Sequence, residues 1–176
     1  MSHRHAHGRQ EGFDENAAEK LEWSDALLLG LGPMDDAHEQ FVQVVKALAG
    51  CNAVTALGCL QAVEDHLLAH FDTERELMER TGYPSMDCHL DEHQKVLDTV
   101  LQVNQLAKAG QVGLRDVRRL AAALADWFPK HATYLDSALS AWVSKQRHGG
   151  APVILRRHIA RFVEHESVQP EQRSAA

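Results

Sequence analysis

Apolar residues recur every three or four positions along four stretches of the chain, with polar and charged residues between them. This period is typical of amphipathic α-helices, because residues three and four apart share one face of a helix. The predicted helices run from Asp35 or Asp36 to Gly50, from about Val54 to Arg80, from about Ser85 to Ala109, and from about Leu114 to Lys145. Since no stretch alternates with period two for long, the sequence predicts an all-α protein: an antiparallel, up-down-up-down four-helix bundle over residues 18–145.

The bundle is preceded by two segments of different composition. Residues 1–17 have no apolar periodicity, which predicts a flexible tail. Three histidines of the chain lie in this tail: His3, His5 and His7. Residues 21–34 contain an apolar run that glycines and Pro33 interrupt, which indicates an irregular N-terminal arm closing over the core.

A C-terminal extension, residues 146–176, follows the bundle. It starts with Gly149 and Gly150, and residues 154–165 predict a short basic amphipathic helix. Two interpretations stay open for this helix: packing on the bundle, or binding a protein partner.

Composition and charge narrow the class of protein. The chain has 176 residues, of which 44% are hydrophobic, and a formal net charge of −7. The apolar fraction is sufficient for a folded core. The acidic balance argues against nucleic acid as a partner, because cationic side chains supply most of that affinity. No apolar stretch is long enough to cross a bilayer and no signal-peptide region is visible, so we expect no membrane partner and a cytoplasmic location.

The chain contains twelve histidines, and five of them lie on the predicted core stripes together with a glutamate. Helix periodicity places pairs of residues four apart about 6 Å along the helix axis, close enough to bind one metal ion. With one further aspartate, the candidate metal ligands are His38, His70, Glu74, His89, His93, His131 and Asp136. Burying so many polar groups without a metal would cost several kcal/mol for each poorly paired group.

The number and chemistry of these ligands indicate the type of metal site. Seven ligands are too many for one tetrahedral zinc ion, and two carboxylates able to bridge favour a dinuclear centre. Iron is the natural occupant for imidazole and carboxylate ligands, while manganese and zinc stay open as substitutes.

The order and spacing of these residues resemble the hemerythrin family, especially single-domain bacterial hemerythrins, over about residues 20–145. The matching motifs are His38, His70-Phe71-x-x-Glu74, His89-x-x-Glu92-His93 and Trp127-x-x-x-His131-x-x-x-x-Asp136. The resemblance implies a non-haem di-iron centre that binds dioxygen reversibly. It also implies that His89, His93 and His131 hold one iron and that His38 and His70 hold the other. Glu74 and Asp136 would bridge the two irons, beside an oxo or hydroxo group.

A ligand set rich in neutral imidazoles favours the diferrous state, whereas carboxylate-rich di-iron bundles stabilise the high oxidation states that cleave oxygen. A dry pocket would also protect bound oxygen from protons and water. Phe71, Trp127 and Phe128 are the candidates to line this oxygen pocket, and plain core packing is the alternative for them. The candidates for holding the second nitrogen of each imidazole are Asp35, Asp87, Glu92 and backbone carbonyls.

The fourth predicted helix has an unusual feature at its ligands. The five-residue step from His131 to Asp136 turns about 140° on a regular α-helix, so the two side chains cannot face one point without distortion. Pro129 predicts a kink just before His131, and a π-type widening would bring both residues onto one face. Ala132 and Tyr134 stand where bulkier aliphatic residues are expected, and Tyr134 is a candidate to donate a hydrogen bond inward.

His66, one helical turn before His70, is open to three interpretations: a surface residue, a partner of a ligand, or an extra ligand. Three functions follow from the resemblance. The first is reversible dioxygen binding for storage, delivery or sensing, which is not an enzymatic activity. The alternatives are a di-iron enzyme that reduces peroxide or nitric oxide or oxidises ferrous iron, and a regulatory module that signals through residues 146–176.

Overall fold

The structure is a computed structural model, and it describes residues 17–150. In chain order the helices are α1 (Ala17–Lys20), α2 (Gly32–Gly50), α3 (Ala56–Thr81), α4 (Met86–Lys108), α5 (Leu114–His131) and α6 (Ser137–His148). A 3-10 turn, Asp25–Leu27, lies between α1 and α2, and a π-helical turn, Ala132–Asp136, joins α5 to α6. The described part of the chain contains no strand, which confirms the predicted all-α class.

The four long helical segments form the predicted bundle. Helix α2 packs against α3 and α5, α3 packs against α4, and α4 packs against α5. Loops of four or five residues, 51–55, 82–85 and 109–113, connect successive helices. Connections this short place successive helices antiparallel to each other. The short helix α1 covers α5 and α2 at the side of the bundle.

The core consists of two apolar clusters with a polar layer between them. On α2, Met34 belongs to the smaller cluster and Phe41 to the larger one, and the buried His38 lies between them. On α3, Glu74 separates Phe71 of the larger cluster from Leu77 of the smaller one. The periodicity of the helices therefore concentrates the buried polar residues in one cross-section of the bundle.

The prediction that the first long helix starts at Asp35 or Asp36 is wrong, because α2 begins at Gly32. Pro33 lies in the first turn of α2, where a backbone N–H has no partner within the helix and its loss costs nothing. Asp35 instead accepts hydrogen bonds from the backbone N–H groups of Leu29, at 2.7 Å, and Gly30, at 3.1 Å. It thereby fixes the end of the arm on α2.

The helical path continues through Pro129, and the predicted π-type widening follows directly after α5. The N–H of Ser137 donates to the carbonyl of Ala132, five residues earlier, which is the bonding pattern of a π-helix. Helix α6 ends at His148, and Gly149 follows with a φ of 72°.

Two predicted segments lie mostly outside the described residues. These are the tail, residues 1–17, with His3, His5 and His7, and the C-terminal extension, residues 146–176, with its predicted helix. Within residues 17–150, no helix has the length and apolar character needed to cross a membrane.

Candidate metal centre

The seven predicted ligands come from four helices and the π turn, and they meet inside the polar layer. None of them is more than 7% exposed, and His38, Glu74, His89 and Asp136 are completely buried. The helix spacing explains part of this arrangement. Residues four apart on α3 and on α4 project from the same face, so each of these helices directs two candidate ligands to the same point.

Glu74 presents its two carboxylate oxygens to two different groups of imidazoles. Its Oε1 lies 3.1 Å from Nε2 of His70 and 4.0 Å from Nε2 of His38. Its Oε2 lies 3.1 Å from Nε2 of His89 and 3.4 Å from Nε2 of His93. One side chain therefore contacts both groups of histidines.

Asp136 divides its two oxygens in the same way. Its Oδ2 lies 3.1 Å from Nε2 of His38. Its Oδ1 lies 3.1 Å from Nε2 of His89 and 3.0 Å from Nε2 of His131. The π turn makes this contact possible, because it brings residues five apart onto the same side of the helix.

These contacts define two groups of side chains whose potential ligand atoms lie within 4.8 Å of one another. One group is Glu74, His89, His93, His131 and Asp136, and the other is His38, His70 and Glu74. Among the described residues, Nε2 of His38 and of His89 and all four carboxylate oxygens of the centre are buried without a hydrogen-bond partner. Buried oxygen and nitrogen atoms that converge in this way fit a bound cation.

Comparison with known proteins identifies the family. The sequence model of the hemerythrin family, described as the Hemerythrin HHE cation binding domain, matches residues 30–143. The chain belongs to the hemerythrin family. This family is of the non-haem iron, oxygen-binding type, and its cation-binding domain covers every residue of the centre described above.

Bacterial members of the hemerythrin family are similar to this chain over most of their length. A bacteriohemerythrin of Ralstonia nicotianae is 31% identical over 126 residues, which cover 72% of this chain and 90% of the relative. A bacteriohemerythrin of Stenotrophomonas maltophilia is 27% identical over 122 residues, which cover 67% of this chain and 78% of the relative. A bacteriohemerythrin of Pseudomonas paraeruginosa is 27% identical over 142 residues, which cover 74% of this chain and 91% of the relative.

Aromatic side chains surround the centre of this hemerythrin-family chain. The ring of Phe71 stacks on His93, with ring centroids 3.7 Å apart and an angle of 6° between the planes. Trp127 stacks on His131 with centroids 4.4 Å apart. Phe128 meets His38 edge to face at 5.2 Å. The three predicted pocket residues thus lie directly against imidazoles of the centre and restrict their rotation.

Phe41 belongs to the same aromatic layer, although it is not among the predicted pocket residues. Its ring centroid lies 4.6 Å from that of Phe128 and 6.1 Å from that of Trp127. Its position three residues after His38 was the available signal, because that spacing places both on one helix face. Tyr134 is 74% exposed, so the prediction that it donates a hydrogen bond inward is wrong, whereas Ala132 is buried.

In four of the five imidazoles, none of the predicted partners forms a hydrogen bond to the second ring nitrogen. Asp35 binds the arm, Glu92 accepts a hydrogen bond from Lys95 at 2.5 Å, and Asp87 is exposed. The prediction is therefore wrong for Asp35 and Glu92. Nδ1 has no hydrogen-bond partner within residues 17–150 in four imidazoles: His38, His89, His93 and His131.

His66 is neither a surface residue nor part of either ligand group. It is half-buried, and its ring lies nearly parallel to that of His70, with centroids 5.9 Å apart. The ring of Phe41 is also a neighbour of His66, with ring centroids 5.9 Å apart. Its Nε2 is buried without a hydrogen-bond partner in the described chain. Burial, with a smaller effect from His38, lowers the pKa of His66.

The pKa values of His70, His89 and His93 in the centre diverge, because nearby carboxylates outweigh the effect of burial only at His89. Burial lowers the pKa of His70 to about 3 and the pKa of His93 to about 2, with neighbouring imidazoles adding to the effect. Burial also opposes protonation of His89, but the carboxylates of Asp136 and Glu74 outweigh it and raise the pKa of His89 to about 9. At neutral pH, His70 and His93 are therefore neutral, whereas His89 carries a proton.

The pKa values of the two carboxyl groups, Glu74 and Asp136, are shifted in opposite directions. Burial by itself would raise the pKa of Asp136, but the imidazoles of His131, His38 and His89 hold that pKa well below its ordinary value. Burial and the negative charge of Asp136 raise the pKa of Glu74. A metal ion entering the centre must therefore displace a proton from His89, and its positive charge would favour the ionised carboxylate of Glu74.

Proposed function

We propose that this chain holds two iron ions and binds dioxygen reversibly, for storage, delivery or sensing, rather than catalysing a reaction. The observation that carries the proposal is the division of the two buried carboxylates. Each of Glu74 and Asp136 directs one oxygen to one group of imidazoles and its second oxygen to the other group. Such an arrangement suits two cations side by side better than one.

The contacts support a specific ligand assignment. His89, His93 and His131 would hold one iron together with Oε2 of Glu74 and Oδ1 of Asp136. His38 and His70 would hold the second iron with the remaining oxygens, Oδ2 of Asp136 and Oε1 of Glu74. Both carboxylates would then bridge, and we include a bridging oxo or hydroxo group in the proposal.

The two groups are unequal, because one contains three imidazoles and the other contains two. The protein therefore offers one ligand fewer to the second iron, which leaves a coordination position for an external ligand. When bound, the iron pair supplies the electrons and the open position that reversible dioxygen binding requires. The neutral state of His70 and His93 keeps their Nε2 lone pairs free for coordination.

The residues around the centre protect such a ligand from water. Phe41 and Phe128 are at most 2% exposed, and Phe71 is 7% exposed. These rings and the half-buried Trp127 cover the centre on the side of the larger apolar cluster. A site that excludes water and protons disfavours loss of reduced oxygen species, so oxygen can leave as it entered.

Metal analysis combined with absorption spectra tests the proposal. Protein produced with sufficient iron should contain two irons per chain, and the reduced form should gain a visible absorption band in air and lose it when oxygen is removed. Glu74→Gln should lower the iron content, while Glu76→Gln, an exposed change on the same helix, should retain two irons.

Three other results would contradict the proposal. One iron or none in the wild-type chain would exclude the dinuclear centre. Irreversible oxidation in air, without a band that bleaches, would exclude oxygen storage and delivery. Steady turnover of peroxide, nitric oxide or ferrous iron with a physiological reductant would favour the enzymatic alternative.

A further inference from the structure

One side chain in the apolar layer beside the centre has an unused polar atom. His66 lies on α3 among the aromatic rings of that layer, and Nε2 of His66 is buried without a hydrogen-bond partner within residues 17–150. A buried polar atom without a partner destabilises the fold, and its presence calls for an explanation such as a bound ligand or a functional role. The ligand assignment above does not use this atom.

The position of His66 indicates which side of the centre it serves. It precedes His70 by one helical turn, and its ring contacts those of His70 and Phe41. Phe41 in turn packs on Phe128, which contacts His38. His66 thus belongs to the layer next to His38 and His70, the group with two imidazoles. Neither ligand group, whose potential ligand atoms lie within 4.8 Å of one another, includes a nitrogen of His66. His66 is therefore a neighbour of the centre and not a ligand.

We propose that His66 is a positioning residue: its Nε2–H donates a hydrogen bond to a small, hydrogen-bond-accepting ligand held beside His38 and His70. The ligand class comprises dioxygen and small anions such as azide. This inference rests on the proposed function, because that function supplies the ligand position. The side chains of Phe41, Phe71 and Phe128 offer only hydrocarbon, so His66 gives this layer a directional donor.

A second unpartnered donor lies on the N-terminal arm and must be distinguished from His66. The indole Nε1 of Trp23 is also buried without a partner among the described residues, and its ring lies 6.5 Å from that of His38. Trp23 contacts the centre from the arm, whereas His66 contacts both His70 and the aromatic layer. The variant Trp23→Phe removes the competing N–H and leaves an aromatic ring.

Azide binding to the iron-loaded, full-length chain tests the proposal. His66→Leu should weaken azide about ten-fold or more, because a hydrogen bond to a charged acceptor is lost. His66→Gln, which keeps a donor, should restore most of the affinity. His148→Leu makes the same chemical change at an exposed histidine, and it should leave the affinity of the wild type unchanged.

The infrared stretch of the bound azide gives a readout that packing alone does not move. In the wild type this stretch should shift when water is replaced by D2O, because the donor hydrogen exchanges, and the shift should be absent in His66→Leu. The wild-type measurement shows whether an exchangeable donor is present, and persistence of the shift in Trp23→Phe excludes the competing indole N–H, so the test stands even if His66→Leu fails to fold.

The outcomes separate this inference from the function on which it rests. Two irons with azide binding that is insensitive to D2O, or that weakens in Trp23→Phe and not in His66→Leu, would overturn the role of His66 and leave the di-iron centre intact. A wild-type chain that does not bind two irons would overturn both.

Discussion

Removal of the proposed metal should destabilise this protein strongly, because the buried polar atoms of the centre would lose the cation between them. Six such atoms face the centre without a hydrogen-bond partner: Nε2 of His38, Nε2 of His89, and the two oxygens each of Glu74 and Asp136. At about 1 to 3 kcal/mol for each unsatisfied group, their cost is roughly 6 to 18 kcal/mol. This range is comparable to the total stability of a typical domain, about 5 to 15 kcal/mol. Because protonated His89 lies 3.1 Å from an oxygen of each carboxylate, part of this cost is relieved, and we expect a loss near the lower limit, about 6 kcal/mol.

We also expect Glu74→Met to increase the stability of the metal-free protein and to decrease the stability that iron adds. Methionine has a similar shape to glutamate and lacks the two carboxylate oxygens, so the substitution removes two of the six unsatisfied atoms. The free energy of unfolding of the metal-free variant should therefore exceed that of the metal-free wild type by at least about 2 kcal/mol. Iron should stabilise the variant far less than the wild type, because both groups of imidazoles lose a ligand. Glu79→Met, an exposed change on α3, should alter neither form by more than about 0.5 kcal/mol.

Urea unfolding followed by circular dichroism, at constant pH with iron-loaded and chelator-stripped protein, measures these free energies. A stripped wild type whose free energy of unfolding lies within about 1 kcal/mol of that of the loaded protein would refute this prediction. The reasoning also fails if Glu74→Met is the less stable of the two metal-free proteins, since the buried oxygens would then be favourable without a metal.

Three further predictions follow from the described side chains. The pKa of His89, about 9, exceeds the ordinary histidine value. In the metal-free chain, its contribution to stability is therefore complete below about pH 6.5 and is lost as the pH rises through 9. Denaturation across this range should show a loss of about 3 kcal/mol in the free energy of unfolding, and His89→Leu should abolish that loss. Phe128→Ala should lower the free energy of unfolding by about 3 to 5 kcal/mol, whereas Tyr134→Ala should change it by less than about 0.5 kcal/mol, and equal effects of the two would contradict the observed burial. Ser140→Ala removes a buried hydrogen bond of 2.8 Å to the carbonyl of Leu29 and should cost about 1 to 2 kcal/mol by the same assay; no loss would mean that this bond does not hold the arm.

The bundle could be predicted from the sequence because helical periodicity reports which face of each helix is buried. The same property places His70 with Glu74, and His89 with His93, on shared faces without any knowledge of packing. Even the π turn was predictable, because a step of five residues cannot place two side chains on one side of a regular α-helix.

The sequence was misleading where a residue has several local roles and the packing selects one. Pro33 was interpreted as part of the irregular arm, although it also suits the first turn of a helix. Asp35 is a plausible helix cap or imidazole partner, yet its carboxylate accepts two N–H groups of the arm. Tyr134 lies in the π turn, and only the path of that turn determines that its side chain faces solvent.

The sequence by itself determined the helical class, the order of the polar residues and the set that shares the core faces, since these follow from spacing within each helix. Only the tertiary structure decided which oxygen of Glu74 and of Asp136 meets which imidazole, and that Nε2 of His66 lies buried beside the centre. Distances between side chains on different helices depend on how the helices pack, and no periodicity along one chain segment contains that information.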